Sequence, residues 1–167
     1  MKGLRLQRGL RNGVHKLTDL VEGLEHARGL ALLFPDEAQR LAFLRSVEVY
    51  VSPFHGYMWI DDTKGRVVVS GDYLRNGDEQ GLFLDLVHEL VHIVQHREGR
   101  DLWDETYNYV DRPTEVEAYR VAVAEARELG LGDEALCEYL HVPWVSDEEH
   151  ARLCATVGVT YHPKKRS

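Results

Sequence analysis

Apolar residues change their spacing twice along this chain, and the changes divide it into three parts. From His15 to Phe34, leucines at 17, 20, 24, 30, 32 and 33 recur at mostly helical spacing, with Glu22, Glu25, His26 and Arg28 between them. That pattern predicts an amphipathic helix. Pro35-Asp36 ends it and starts a second helix from Asp36 to Arg45, so residues 1–46 are expected to form a helical lead-in.

At Val47 the character changes. Val47–Val51, Tyr57–Ile60 and Arg66–Ser70 are rich in β-branched and aromatic residues and are separated by Ser52-Pro53 and by Asp61-Asp62-Thr63-Lys64-Gly65. These are strand and turn chemistries, and they predict a small three-stranded sheet whose last two strands form a hairpin. A helix then follows from Glu79 to Arg97, apolar around most of its circumference and therefore nearly surrounded by protein.

Gly99 closes that helix, and residues 100–112 read as a loop carrying Trp103, Tyr107 and Tyr109. Pro113 suits the first turn of a helix that runs to Leu129 and stops at Gly130. Shorter helices, Asp133–Leu140 and Ser146–Val157, precede a polar tail. The expected class is α+β, mainly helical with a small sheet, in one domain: lead-in 1–46, core 47–130, C-terminal helices and tail 131–167. No internal repeat or low-complexity segment interrupts it.

Composition narrows the function classes. With 44% hydrophobic and 29% charged residues in 167 positions, the profile is globular, and the chain is long enough to bury a real core without a metal. A formal net charge of −8 argues against nucleic acid as the partner, and Lys164-Lys165-Arg166 reads as a solvated end. No apolar run approaches the roughly 20 residues of a membrane span. The first 13 residues scatter single leucines among Lys2, Arg5, Arg8 and Arg11, unlike a signal peptide, so a cytoplasmic location is expected. Cys137 and Cys154 form no disulfide framework and read as two reduced thiols; their separation matches no paired zinc motif.

The candidate chemistry lies in His88-Glu89-Leu90-Val91-His92. Four helical residues advance about 400° and about 6 Å, so His88 and His92 project from one face and can hold one metal. Glu89 sits about 100° round, placed to reach a water that the metal activates. Metal-assisted hydrolysis needs this division: two imidazole ligands, and a carboxylate that takes a proton and later delivers it to the leaving amine. Burying two histidines and a glutamate in so apolar a helix would be costly without a partner such as a cation. His96 continues the stripe but lies about 12 Å from His88 along the helix, too far to share the ion, and reads as a cation at the helix end. The extended metzincin pattern would place Gly at 95 and His at 98, where this chain has Gln95 and Glu98.

A catalytic zinc usually takes a third protein ligand. In the next long helix, Arg112-Pro113-Thr114-Glu115-Val116-Glu117-Ala118-Tyr119-Arg120 resembles the gluzincin metallopeptidases, where the HExxH helix is followed by a glutamate in an E-x-x-A setting. Glu115 with Ala118 fits that pattern, so the resemblance implies Glu115 as third ligand, with Glu117 as its alternative. Residues two apart on a helix point about 200° apart, so only one of them can face the metal.

The order of elements is also similar to that of the minimal gluzincins, the minigluzincins. There a strand before the active-site helix rims the cleft and pairs with an extended substrate, which implies that role for Val68, Val69 and Ser70. An ordinary buried strand is the competing reading. Tyr119 is the first candidate for stabilising a developing oxyanion, with Tyr107, Tyr109 and His55 behind it.

The function expected is a metal-dependent endopeptidase acting on a protein or peptide substrate, with zinc as the default ion and manganese or iron as alternatives. Two rivals stand beside it. One is a regulatory protease dedicated to a single protein partner, as in proteins resembling the ImmA/IrrE type. The other is a metal-binding protein without turnover, held latent by its own C-terminal residues.

Overall fold

The structure, a computed structural model, describes residues 3–164, so Lys165 and Arg166 of the basic tail lie outside the described residues. The chain is α+β and mainly helical. Its strands are β1 (Arg5–Leu6), β2 (Gly13–Lys16), β3 (Val21–Glu22), β4 (Glu48–Ser52), β5 (Met58–Asp61) and β6 (Arg66–Ser70). Its helices are α1 (Leu17–Leu20), α2 (Arg28–Leu33), α3 (Glu37–Ser46), α4 (Gly71–Asn76), α5 (Glu79–Arg97), α6 (Pro113–Glu128), α7 (Asp133–Tyr139) and α8 (Asp147–Thr156).

The first third corrects the helical lead-in. The segment expected to be one amphipathic helix is instead β2, the single turn α1, β3, a short 3-10 turn at Leu24–His26 and α2. Leu17, Leu20, Leu24 and Leu30 are buried as their spacing implied, but from separate short elements. Gly23 explains the break: it adopts φ +87°, and a Cβ there would lie 2.1 Å from the carbonyl oxygen of Gly3, on the strand-turn segment that brings β1 against β3. Periodic burial alone does not distinguish one continuous helix from successive short elements that face the same core. Only α3, capped by Asp36 Oδ1 accepting the Gln39 N–H at 2.8 Å, stands as expected.

The sheet has four strands rather than three, in the order β2-β4-β6-β5. β4 and β6 run parallel, and the other pairings are antiparallel. The expected hairpin is β5–β6, with Trp59 opposite Val68. Because β4 holds one side of β6 and β5 the other, β6 is internal and β5 is an edge.

α5 passes through the core with Leu82, Leu86, Leu90 and Ile93 buried. Asp78 caps its start by accepting the Gly81 N–H at 2.8 Å, and Gly99 at φ +75° ends it. α6 begins at Pro113, whose missing N–H costs nothing at a helix start, and packs along α5. α7 and α8 close the far side; α8 opens with a capping box between Ser146 and Glu149. Among the described residues, no helix is long and apolar enough to cross a membrane.

Candidate functional site

The two longest helices bring His88, His92 and Glu115 together. One helical turn separates the histidines on α5, and Glu115 enters from the first turn of α6. His88 Nε2 lies 3.1 Å from Glu115 Oε2, His92 Nε2 lies 3.4 Å from the same oxygen, and the two Nε2 atoms are 3.1 Å apart. All three residues are buried, and together they form a group that can hold a metal ion. Ligands about 2.0 to 2.1 Å from a tetrahedral zinc stand about 3.3 Å from one another, so the triangle has the dimensions of one face of such a site. The donor set, two imidazoles and a carboxylate, suits zinc and accepts manganese or iron.

Charge in the triangle follows its geometry. Burial works against every charged form here, yet hydrogen bonds from both imidazoles hold the Glu115 carboxyl well below the usual range. Against the same burial, Glu115 and Glu89 raise the His92 imidazole to about 9. His88 goes the other way, because burial outweighs its bond to Glu115 and His92 adds repulsion.

A second layer orients the first. Gln95 accepts from His92 Nδ1 at 2.7 Å and donates to the Thr114 carbonyl at 3.0 Å and to Glu117 Oε2 at 2.8 Å. Because Nδ1 is held by Gln95, it is Nε2 of His92 that faces the triangle, and the proton there is the one a cation displaces. Glu117 is thus engaged with Gln95 and with Arg100, outside the triangle, and of the two acidic candidates it is Glu115 that meets the histidines. Helical phase separates them as expected.

Glu89 lines the cleft beside the triangle. Burial pushes its carboxyl up to about 8, with His92 opposing the shift and Glu115 and Asp85 adding to it. Tyr119 packs its ring 4.3 Å from that of His88, and its hydroxyl is 2.7 Å from the hydroxyl of Tyr109. Burial raises both phenols above their ordinary range, so they remain protonated donors. Tyr107 and His55 are exposed, and His55 pairs with Asp72 at 2.8 Å rather than facing the cleft. His96 is likewise outside the triangle; its ring lies against Gly65 in the β5–β6 turn.

The cleft, about 410 Å³, is walled by α5, by Met58, Trp59 and Ile60 of β5, and by Trp144 on the loop after α7. This corrects the rim assignment. Val68, Val69 and Ser70 are 4%, 0% and 0% exposed in a strand hydrogen-bonded on both sides, so they have no free edge to offer a substrate. Among the described residues, the sheet edge that borders the cleft is that of β5. Three further contributors escaped the sequence reading: Gln95, the edge strand, and Asp85, which accepts from the Tyr73 hydroxyl at 2.6 Å. The tail residues 159–164 do not wall the cleft; Thr160 and His162 bond instead to Asp133 and Cys137 of α7. Compared with family models, with curated proteins and with solved structures, the chain matches none.

Proposed function

We propose that this protein is a metal-dependent endopeptidase of gluzincin type, with His88, His92 and Glu115 holding zinc and Glu89 acting as general base and then general acid. The observation that carries this reading is the triangle of Nε2, Nε2 and Oε2 atoms, 3.1 to 3.4 Å on a side, beside a carboxyl that is not a member of it. When bound, the cation supplies Lewis acidity, polarising a substrate carbonyl and lowering the pKa of a water.

The chain's own residues supply the rest. Glu89, which lines the cleft beside the triangle without belonging to it, is placed to accept a proton from water and return it to a departing amine. Of the two hydroxyls at Tyr109 and Tyr119, one donates to the other, which leaves the second hydrogen free for a developing oxyanion. The free edge of β5 favours an extended peptide as substrate, because main-chain pairing gives affinity with little dependence on sequence. The aromatic wall of Trp59, Tyr109, Tyr139 and Trp144 suits apolar side chains of such a peptide.

Replacing Glu89 by glutamine tests the reading. Zinc content should be unchanged while cleavage of unfolded casein falls by about 10²–10⁴-fold. An undiminished rate in Glu89→Gln would remove the carboxylate from the chemistry. Silence of the wild-type, zinc-loaded protein on every unfolded substrate would redirect the proposal to a protease dedicated to one folded partner.

A further inference from the structure

A second cluster of soft ligands lies between α7 and α8, outside the lining of the cleft. Cys137 comes from α7, and His150 and Cys154 come from one face of α8, four residues apart. The sulfurs are 3.8 Å apart and Cys137 Sγ is 3.6 Å from His150 Nε2, with all three donor atoms within 4.8 Å of one another. Ligands at about 2.3 Å for sulfur and about 2.0 Å for nitrogen on a tetrahedral zinc would be about 3.8 Å apart for two sulfurs and about 3.5 Å apart for a sulfur and a nitrogen. The separations in the structure, 3.8 and 3.6 Å, agree with both values. A disulfide would instead need the sulfurs at about 2.05 Å.

We infer that Cys137, His150 and Cys154 form a second metal site, independent of the first, that supplies three of the four ligands of a thiophilic divalent cation such as zinc. Three properties of the cluster support this. Its members are buried, at 2%, 4% and 0% exposure, so an ion there is shielded from exchange. Two thiolates and a neutral imidazole bring a divalent cation to zero net charge, the arrangement a buried site tolerates best; both thiol protons leave for solvent on binding. The His162 N–H already points at Cys137 Sγ at 3.2 Å, the type of outer contact that steadies a metal thiolate.

Metal-free, His150 Nε2–H donates to the Cys137 carbonyl at 2.7 Å; loading moves that proton to Nδ1 and turns the Nε2 lone pair to the ion. The ion would tie α7, α8 and the segment at His162 into one unit. None of these three ligands walls the cleft, so the inference stands or falls apart from the peptidase reading.

Full-length protein produced with zinc should carry about two equivalents, falling to about one in Cys154→Ser and to about one in His88→Ala. Cobalt substitution distinguishes the sites. The near-ultraviolet charge-transfer band of a thiolate-bound cobalt should persist in His88→Ala and vanish in Cys154→Ser. If Cys154→Ser does not fold, the wild-type protein decides alone: an organomercurial should release one of the two zinc ions as it titrates the thiols. Absence of the band in cobalt-loaded wild-type protein would overturn the inference. So would a mass lower by two hydrogens, which marks a disulfide, or equal thiol reactivity with and without a chelator.

Discussion

Gln95 Oε1 accepts the Nδ1 proton of His92 at 2.7 Å, while the amide nitrogen of the same side chain reaches across to the Thr114 carbonyl at the start of α6. One buried amide therefore sets the tautomer of one metal-ligand candidate and the position of the helix that carries another. Gln95→Ala should leave the fold intact but lower zinc affinity by about 10–100-fold, as loss of an outer partner typically does. Competition against a chromophoric chelator measures it. Unchanged affinity would reduce Gln95 to a packing role.

Proton and cation compete for the same His92 nitrogen. With the imidazole raised to about 9 in the metal-free protein, zinc must displace a proton throughout the neutral range. Apparent affinity should therefore rise about tenfold per pH unit from about pH 7 to about pH 9 and then flatten. Stability of the metal-free protein moves in the opposite sense. The raised His92 stabilises the fold fully below its unfolded value, roughly 6.5, and that contribution is lost as pH rises through about 9. The Tm after chelation should thus fall with alkalinity, whereas that of the zinc-loaded protein should not follow the trend. A flat chelated profile would contradict the charged His92–Glu115 pair.

The parts of this site that could be read from sequence are those built on long, locally specified helices. α5 and α6 carry their own start and stop signals, Asp78, Gly99 and Pro113, so the shared face of His88 and His92 follows from helical geometry, whereas Glu115 is implied by the resemblance of residues 112–120 to the gluzincin E-x-x-A setting. Strand order is different, because it depends on partners far along the chain. β2 joins the sheet from within the segment whose leucines suggested a helix, and no local feature announces its pairing with β4. Two available signals pointed the right way. The uninterrupted Val67-Val68-Val69 is the composition of a strand covered on both faces, and Gln95 stands three residues after His92, within reach on the same helix.

The lead-in is tied to the core by a buried carboxylate. Glu125 on α6 is 2% exposed and accepts the Gly29 N–H of α2 at 2.7 Å. Gly29 itself leaves no room for a side chain, since a Cβ would meet Val87 Cγ1 at 2.9 Å and Val121 Cγ1 at 3.1 Å. Glu125→Ala strands a buried donor and should cost about 1–3 kcal/mol in urea unfolding. Gly29→Ala overpacks the same junction and should cost about 1–3 kcal/mol by another route. A loss below about 0.5 kcal/mol in both, the usual range of surface substitutions, would show that α2 is not held there.

The free edge of β5 gives the sharpest test of how substrate is held. Ser70 N–H donates to the Tyr57 carbonyl at 2.9 Å, and in an antiparallel ladder alternate residues face alternate sides. Tyr57, Trp59 and Asp61 therefore direct their backbone groups to β6, and Met58 and Ile60 direct theirs away from it, to the open edge of the strand. Proline is tolerated on an edge strand where the lost N–H faces outward, so Met58→Pro should preserve the β5–β6 pairing while deleting one donor available to a peptide. One neutral hydrogen bond is worth about 0.5–1.5 kcal/mol, which predicts a fall in kcat/KM of about 2- to 12-fold, carried mainly by KM because the bond exists before and during the reaction. Met58→Leu controls for the side chain and should stay near wild type. Equal kcat/KM in Met58→Pro and Met58→Leu, with metal content and Tm unchanged, would mean that substrate does not pair with this edge.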